Sequence, residues 1–285
     1  MKYIIAKSLD GALAALQDTG TGRARVVAGA TDLFLQEQPD RLIDISRLPE
    51  LQEVTLEKGL LRVGAAVTHN AASASGLIWE KAAALAEAST LLGSPQIRNI
   101  GTLGGNVANA APAADAAVAL AALGAEAVLF DSPGRFYVKP FAGLYAGYNC
   151  SRVDSCREIL AWFLIRPAGP GQGSAFLRFT ARGALSLPLA NAAARVTLEK
   201  GRLKEVSLVV APAGPAPSRL KKTEALLLGS NLSGKTWSMA EESASAEVAV
   251  RGSALRCSVE YRRRLIGILA GRVLSLAAQR AQRNR

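Results

Sequence analysis

At 285 residues, with 49% of them apolar and 20% charged, the chain is long enough for about two domains, each burying a real core. The formal net charge is +11, nearly balanced over residues 1–170, so the basic excess falls in residues 171–285. That asymmetry points to an acidic or polyanionic partner for the second part, or to a solvated surface. Three dispersed cysteines without a CxxC pair and one histidine, His69, argue against a zinc site or an iron–sulfur cluster within this chain, and no metal ligand is expected. Lys7 interrupts the first apolar run and no window approaches 18 apolar residues, so neither a signal peptide nor a membrane span is expected. The expectation is a cytoplasmic protein with reduced thiols.

In chain order, residues 8–20 predict a short helix opened by Ser8 and closed near Gly20. Residues 24–28 predict a strand running into Gly29-Ala30-Thr31-Asp32, followed by a short helix over 33–36 and a strand over 42–45. Alternating apolar and polar positions over 53–67 predict a hairpin turning at Glu57-Lys58-Gly59. Thr68 is placed to cap a helix over 69–74, which gives His69 a structural place in a first helical turn. An alanine-rich helix is expected over 80–91, another over 115–123, and strands over 127–130 and 157–165. The run Ala168-Gly169-Pro170-Gly171-Gln172-Gly173 is the best linker and coincides with the charge shift. It divides a first domain, 1–170 with subdomains at about 1–52 and 53–170, from a second, 174–285.

The second part opens with three predicted strands, 174–181, 192–199 and 205–211. Helices follow over 219–228, 236–249 and 257–280. In the last of these Leu265, Leu269, Val273 and Leu276 share one face, and Arg280, Arg283 and Arg285 suit a helix C-terminus. Strands followed by helices indicate an α+β domain.

Two loops of small residues stand out in the first domain: Ala28-Gly29-Ala30-Thr31-Asp32 and Gly101-Thr102-Leu103-Gly104-Gly105-Asn106. Consecutive amides in such turns form an anion-binding concavity, and glycine lets an oxygen approach without a Cβ in the way. Facing each other, the two could hold a diphosphate from both sides. Neither is a GxGxxG that follows a strand and opens a helix, so the Rossmann fingerprint is absent. Asp115 lies beyond the second loop at the start of a predicted helix, able to accept from a ribose hydroxyl or to favour the helix N-terminus.

The run Gly93-Ser94-Pro95-Gln96-Ile97-Arg98-Asn99-Ile100-Gly101-Thr102-Leu103-Gly104-Gly105-Asn106, with Asp115 after it, resembles the FAD-binding medium subunits of the molybdenum hydroxylase family, of the xanthine dehydrogenase and carbon monoxide dehydrogenase flavoprotein type. Phe141-Ala142-Gly143, Glu158-Ile159-Leu160, the segment Ser174 to Phe179 and Glu260-Tyr261-Arg262-Arg263 extend the resemblance along the whole chain. It implies a two-subdomain FAD-binding domain of the vanillyl-alcohol oxidase type, followed by a smaller C-terminal domain of three antiparallel strands and helices. It also implies that residues 28–32 and 102–106 clasp the FAD diphosphate, with Asp115 at the ribose or diphosphate and Leu160 and Arg178 beside the isoalloxazine. Two departures from the family stand at this site: Ala30, where a second glycine is usual, and Arg178, where lysine is common. On this resemblance the chain relays electrons from a [2Fe–2S] small subunit through FAD to NAD or another acceptor, while a molybdenum-cofactor large subunit oxidises the substrate, xanthine or another purine first among the options. A valine at Gly104 is then expected to fill phosphate space and expel FAD while leaving the fold intact.

Two rivals come from other classes. Gly229-Ser230-Asn231-Leu232-Ser233-Gly234-Lys235-Thr236 matches the Walker A pattern of P-loop nucleotide-binding proteins. No aspartate follows Asp154 to help hold Mg²⁺, and the preceding segment reads as a helix, so a turn capped by Thr236 is the simpler reading. A basic nucleic-acid-binding module would need a stacking platform, for which Phe176, Phe179, Trp237 and Tyr261 are too scattered, so no nucleic-acid partner is expected.

Overall fold

The computed structural model describes the chain except residues 19–21, 37–38, 184, 251–256 and 285, so Gly20 and Arg285 lie outside the described residues. The first layer is a parallel sheet in which β3 (Arg41–Asp44) lies between β1 (Lys2–Ile5) and β2 (Ala24–Val27). Helix α1 (Leu9–Gln17) crosses from β1 to β2, capped by Ser8, whose side chain accepts from the amide of Gly11, and it buries Leu9, Ala12, Leu13 and Leu16. After β2 the chain makes α2 (Leu33–Gln36), then β3, then α3 (Pro49–Gln52).

The second layer is an antiparallel sheet of five strands in the order β4 (Val54–Glu57), β5 (Leu60–Gly64), β10 (Ile159–Ile165), β6 (Glu126–Ser132), β7 (Arg135–Pro140). Between β5 and β6 come α4 (His69–Ala74), α5 (Gly76–Lys81), α6 (Ala83–Leu91), α7 (Pro95–Ile100), α8 (Leu103–Ala108) and α9 (Asp115–Ala122). The single helix expected over 80–91 is broken at Ala82, whose φ of −150° leaves the helical region. The segment 101–106 is only half a loop, because α8 begins at Leu103. Between β7 and β10 the strands β8 (Tyr145–Gly147) and β9 (Cys150–Ser151) form a small hairpin.

The last layer is the antiparallel sheet β11 (Gln172–Phe179), β12 (Ala190–Glu199), β13 (Arg202–Ala211) and β14 (Ser218–Arg219). It has a fourth, two-residue strand beyond the three expected. Helices α10 (Lys221–Leu227), α11 (Gly234–Glu247) and α12 (Val259–Arg283) follow. Strand β12 is covered on both faces: Ala193 joins the core shared with the first part, while Ala192, Ala194 and Val196 pack in the core under α12. Burial on both faces explains a strand that reads as a continuous run of small apolar residues instead of alternating. On α12 the expected residues Leu265, Leu269 and Val273 are buried, and Leu276 packs against the same core.

The two parts are joined by charge as well as by apolar area. Arg280 Nη2 of α12 lies 2.5 Å from Glu87 Oε1 of α6, and its Nη1 donates to the Ser174 carbonyl at 2.7 Å. Arg195 of β12 donates to the carbonyls of Leu123 and Arg166. The literal Walker A match is a turn: Ser233, not Thr236, caps α11, and the buried Thr236 hydroxyl donates to the Asn231 carbonyl at 2.7 Å. Helix α10, not a strand, precedes it.

Candidate functional site

A cavity of about 1050 Å³ lies where the three layers meet, at the upper end of the roughly 300–1,000 Å³ usual for ligand sites. Residues 28–32, Thr102, Gly105, Asn106, Asp115 and Arg178 line it. Leu103, Gly104 and Leu160, also singled out in the sequence, do not. Leu103 is fully buried in the core. Leu160 sits on the central strand β10 opposite Leu129 of β6, and its side chain packs into the core beneath the sheet, so it does not reach the cavity.

Gly104 faces away from the cavity. A Cβ there would come within 2.6 Å of the Ala65 Cβ and 2.7 Å of the Ala65 carbonyl oxygen. A valine would therefore strike the backbone beneath α8 and disturb the fold, contrary to the expectation that it would only fill ligand space. Gly105 is the glycine that opens onto the cavity, where an added Cβ would meet nothing but the Thr102 hydroxyl.

Chain ends and caps explain how each loop is held. The second loop is tied down by its own hydrogen bonds: Leu103 donates to the Val67 carbonyl at 2.9 Å, Gly104 to Ala65 at 2.8 Å, and Gly105 to the Thr102 side chain at 3.1 Å. Its first amides are thus already engaged. In the first loop the situation is reversed. Among the described residues, none of the amides of residues 29–32 donates to another part of the protein. Delivered by the end of β2, these amides supply the free donors of the cavity wall.

The two loops touch backbone to backbone. A Cβ on Gly29 would lie 2.1 Å from the Ile100 carbonyl oxygen and 2.9 Å from the Gly101 Cα, so only glycine fits there. Ala30 adopts φ +54°, the left-handed region in which the usual glycine carries no Cβ penalty. The fold imposes that conformation on alanine, at a cost of about 1–2 kcal/mol. Asn109 Nδ2, just past the end of α8, donates to Asp32 Oδ2 at 3.2 Å and ties the first loop to the far end of that helix.

Asp115, at the start of α9, is buried, and both of its oxygens are occupied. Arg178 Nη1 of β11 lies 2.5 Å from Oδ2, and Asn191 Nδ2 of β12 donates to Oδ1 at 2.7 Å. The same guanidinium donates to the Leu91 carbonyl at 2.8 Å and to the Ser186 carbonyl. Asp115 therefore clamps the first part of the chain to the second. Burial pushes its carboxyl up to about 6, with Arg178 and Asn191 pulling the other way. Because the folded value lies above the ordinary one, the folded state holds the proton longer than the unfolded chain does. The stability this group contributes is complete below about pH 4 and is lost as pH rises through about 6. Denaturant titrations from pH 4 to 7 should show that fall, and the Asp115→Asn variant should lack it; identical profiles would contradict the assignment.

Sequence reasoning missed several parts of the wall. Tyr148 and Asn149 come from the tip of the β8–β9 hairpin, Leu185 and Leu187 from the β11–β12 connection, and Arg262 from α12. Arg262 lies in the segment Glu260 to Arg263 that carries the family likeness but was not assigned to the site, and no local pattern marks the others, because they converge only through tertiary packing. His69 also lines the cavity although the residue is nearly inaccessible. Burial and the nearby Arg98 lower its pKa to about 4. A second cleft, lined by Arg41, Lys139, Arg152, Asp154 and Glu158 among others, is crossed by its own ion pairs, Arg41 with Asp18 and Lys139 with Glu158.

Comparison with known proteins agrees along the whole chain. The family described as "FAD binding domain in molybdopterin dehydrogenase" matches residues 1–165, and the "CO dehydrogenase flavoprotein C-terminal domain" matches residues 175–277. The putative xanthine dehydrogenase FAD-binding subunit of Escherichia coli (strain K12) is 30% identical over 265 residues, covering 91% of this chain and 90% of that protein. The carbon monoxide dehydrogenase medium chain of Hydrogenophaga pseudoflava is 27% identical over 285 residues, covering 97% and 96%. Among solved structures, carbon monoxide dehydrogenase from Hydrogenophaga pseudoflava superposes with a TM-score of 0.89 at 26% identity, covering 99% of this chain and 98% of that one. Quinoline 2-oxidoreductase from Pseudomonas putida 86 gives 0.88 at 25%, with the same coverage.

Proposed function

Because the chain belongs to the family of FAD-binding subunits of molybdopterin dehydrogenases, a class of oxidoreductases, we propose that it relays electrons within a molybdenum hydroxylase complex. In this reading it stands between a [2Fe–2S] small subunit and NAD, while a molybdenum-cofactor large subunit oxidises a purine such as xanthine. The purine and the NAD acceptor follow the xanthine dehydrogenase relatives. Residues 1–170 are the FAD-binding unit and residues 174–285 close the cavity over it. The chain works in the cytoplasm, a placement its three free cysteines favour, and among the described residues no helix is long and apolar enough to cross a membrane.

The observation that carries the proposal is the cavity wall made by two touching loops, one of which offers unengaged amides at residues 29–32. Such donors suit a diphosphate, and a cavity of about 1050 Å³ that also takes in Asp115 and Arg178 has room for the rest of a dinucleotide. FAD bound there would supply the two-electron chemistry that links one-electron donors to a hydride acceptor. The chain's own residues hold and position it. Residues 29–32 bind, and Asp115 and Arg178 keep the two parts closed. No group placed for acid–base catalysis is required. The basic surface of residues 171–285 offers the partner subunits a face for acidic complementarity.

The purified chain should carry about one FAD per polypeptide, seen as flavin absorption bands, and a colourless chain that refuses added FAD would overturn the proposal. For the acceptor, the assembled complex should turn over a purine with NAD⁺. Turnover only with artificial dyes would remove NAD from the reading and leave the flavin role standing.

A further inference from the structure

His69 is the only histidine of the chain, and its position at a first helical turn hides what its side chain faces. The backbone is fixed twice. Thr68 caps α4 by accepting from the Ala71 amide at 3.1 Å, and the His69 amide donates to the Gly101 carbonyl at 3.0 Å. This pins the start of α4 to the second loop, where Thr68 also bridges to Thr102. The ring then lies where both loops meet. A Cβ on Gly101 would be 3.5 Å from the His69 Cδ2 and 3.7 Å from the Thr31 Oγ1.

The residue is only 2% exposed, yet it lines the cavity, and its Nδ1 is buried without a hydrogen-bond partner. A buried polar atom left without a partner costs stability, so it calls for an occupant of the cavity that provides one. The apolar surroundings and Arg98 keep the ring uncharged near neutral pH, with one N–H donor and one acceptor. Only Nδ1 is orphaned, and a hydroxyl, which can donate or accept, satisfies it in either tautomer, whereas a phosphate, which only accepts, can meet it only as an N–H and favours the charged ring. Asn106 Oδ1, a second buried acceptor without a partner, lines the same cavity. It too calls for a donor such as a hydroxyl.

Resting on the FAD reading above, we propose that His69 is a cofactor-binding residue whose neutral imidazole hydrogen-bonds a sugar-alcohol hydroxyl of the bound dinucleotide at the junction of the two loops.

The single histidine makes the test direct. The full chain is labelled with ¹⁵N-histidine, and its two ring nitrogen resonances are recorded at pH 7 without and with FAD. Addition of FAD should shift both while they keep the separation typical of a neutral ring. Unmoved resonances in a chain that binds FAD would overturn the proposal. So would a collapse to the imidazolium pattern, which would put phosphate at the ring instead. A chain that does not bind FAD at all would overturn the functional reading itself, a distinct failure. Among variants, His69→Leu should weaken FAD binding about tenfold, the upper range for one neutral hydrogen bond, and His69→Gln should restore most of it. Equal affinities for wild type and a folded His69→Leu protein would count against the contact.

Discussion

Gly29→Ala should strip the chain of most of its flavin and lower its stability together. The new methyl would sit 2.1 Å from the Ile100 carbonyl oxygen, far inside contact distance, and the neighbour is backbone that cannot rotate away. One loop must move off the other, which is an overpacking cost of about 1–3 kcal/mol. Since the free amides of residues 29–32 are delivered by that loop, the displacement falls directly on the donors. The flavin-to-protein ratio after desalting, read beside a denaturant titration, measures both effects. Wild-type flavin content in a folded Gly29→Ala protein would refute the geometry. Alanine at Gly105 is the internal comparison for stability alone, because a Cβ there meets only the Thr102 hydroxyl at 3.0 Å while it enters the cavity.

Asp115→Ala is the second large effect. Its carboxylate and Arg178 are both buried, with side-chain exposures of 4% and 10%, so removing Asp115 leaves a cation without its countercharge, held only by the Leu91 and Ser186 carbonyls. Breaking a buried pair in this way costs about 3–5 kcal/mol. The loss also takes the closer partner from Asn191, leaving its amide only the Ala113 carbonyl at 3.3 Å, so the polar ties from β11 and β12 to the start of α9 weaken together. A lowered denaturation midpoint and faster loss of FAD are expected together. Arg178→Lys tests the fork geometry separately. Lysine keeps the charge but cannot reach Asp115, Leu91 and Ser186 with one planar group, so it should give an intermediate loss. A midpoint for Asp115→Ala within error of wild type would show that the clamp is not holding the parts together.

Local signals in the sequence were enough for much of the architecture. Ser8 and Thr68 cap helices as expected, because capping is a contact within four residues of chain. The hairpin at Glu57-Lys58-Gly59 forms between β4 and β5, with Gly59 at φ +76°. The apolar stripe of α12 is buried for the reason any amphipathic helix buries one. The break at Ala82 was not legible, since nothing in an alanine-rich run distinguishes one continuous helix from two. Helix α8 was read as loop because its glycines disfavour helix, while the amides of Leu103 and Gly104 are satisfied by Val67 and Ala65, residues of a distant segment.

The composition of the two loops, small residues flanking Gly29 and Gly104, was fixed by the sequence alone, and with it the family likeness. Which amides remain free was decided by tertiary structure, because the second loop spends its donors on the β5 connection and the first does not. The sequence likewise supplied Asp115 and Arg178 as candidates but not as partners, since 63 residues separate them and only the packing of the last sheet, β11 on α6 and β12 and β13 on α9, brings their charges to 2.5 Å. For the same reason His69 looked like an ordinary helix-start residue. Its ring enters the cavity only because Gly101 accepts from its backbone and draws the two loops around it.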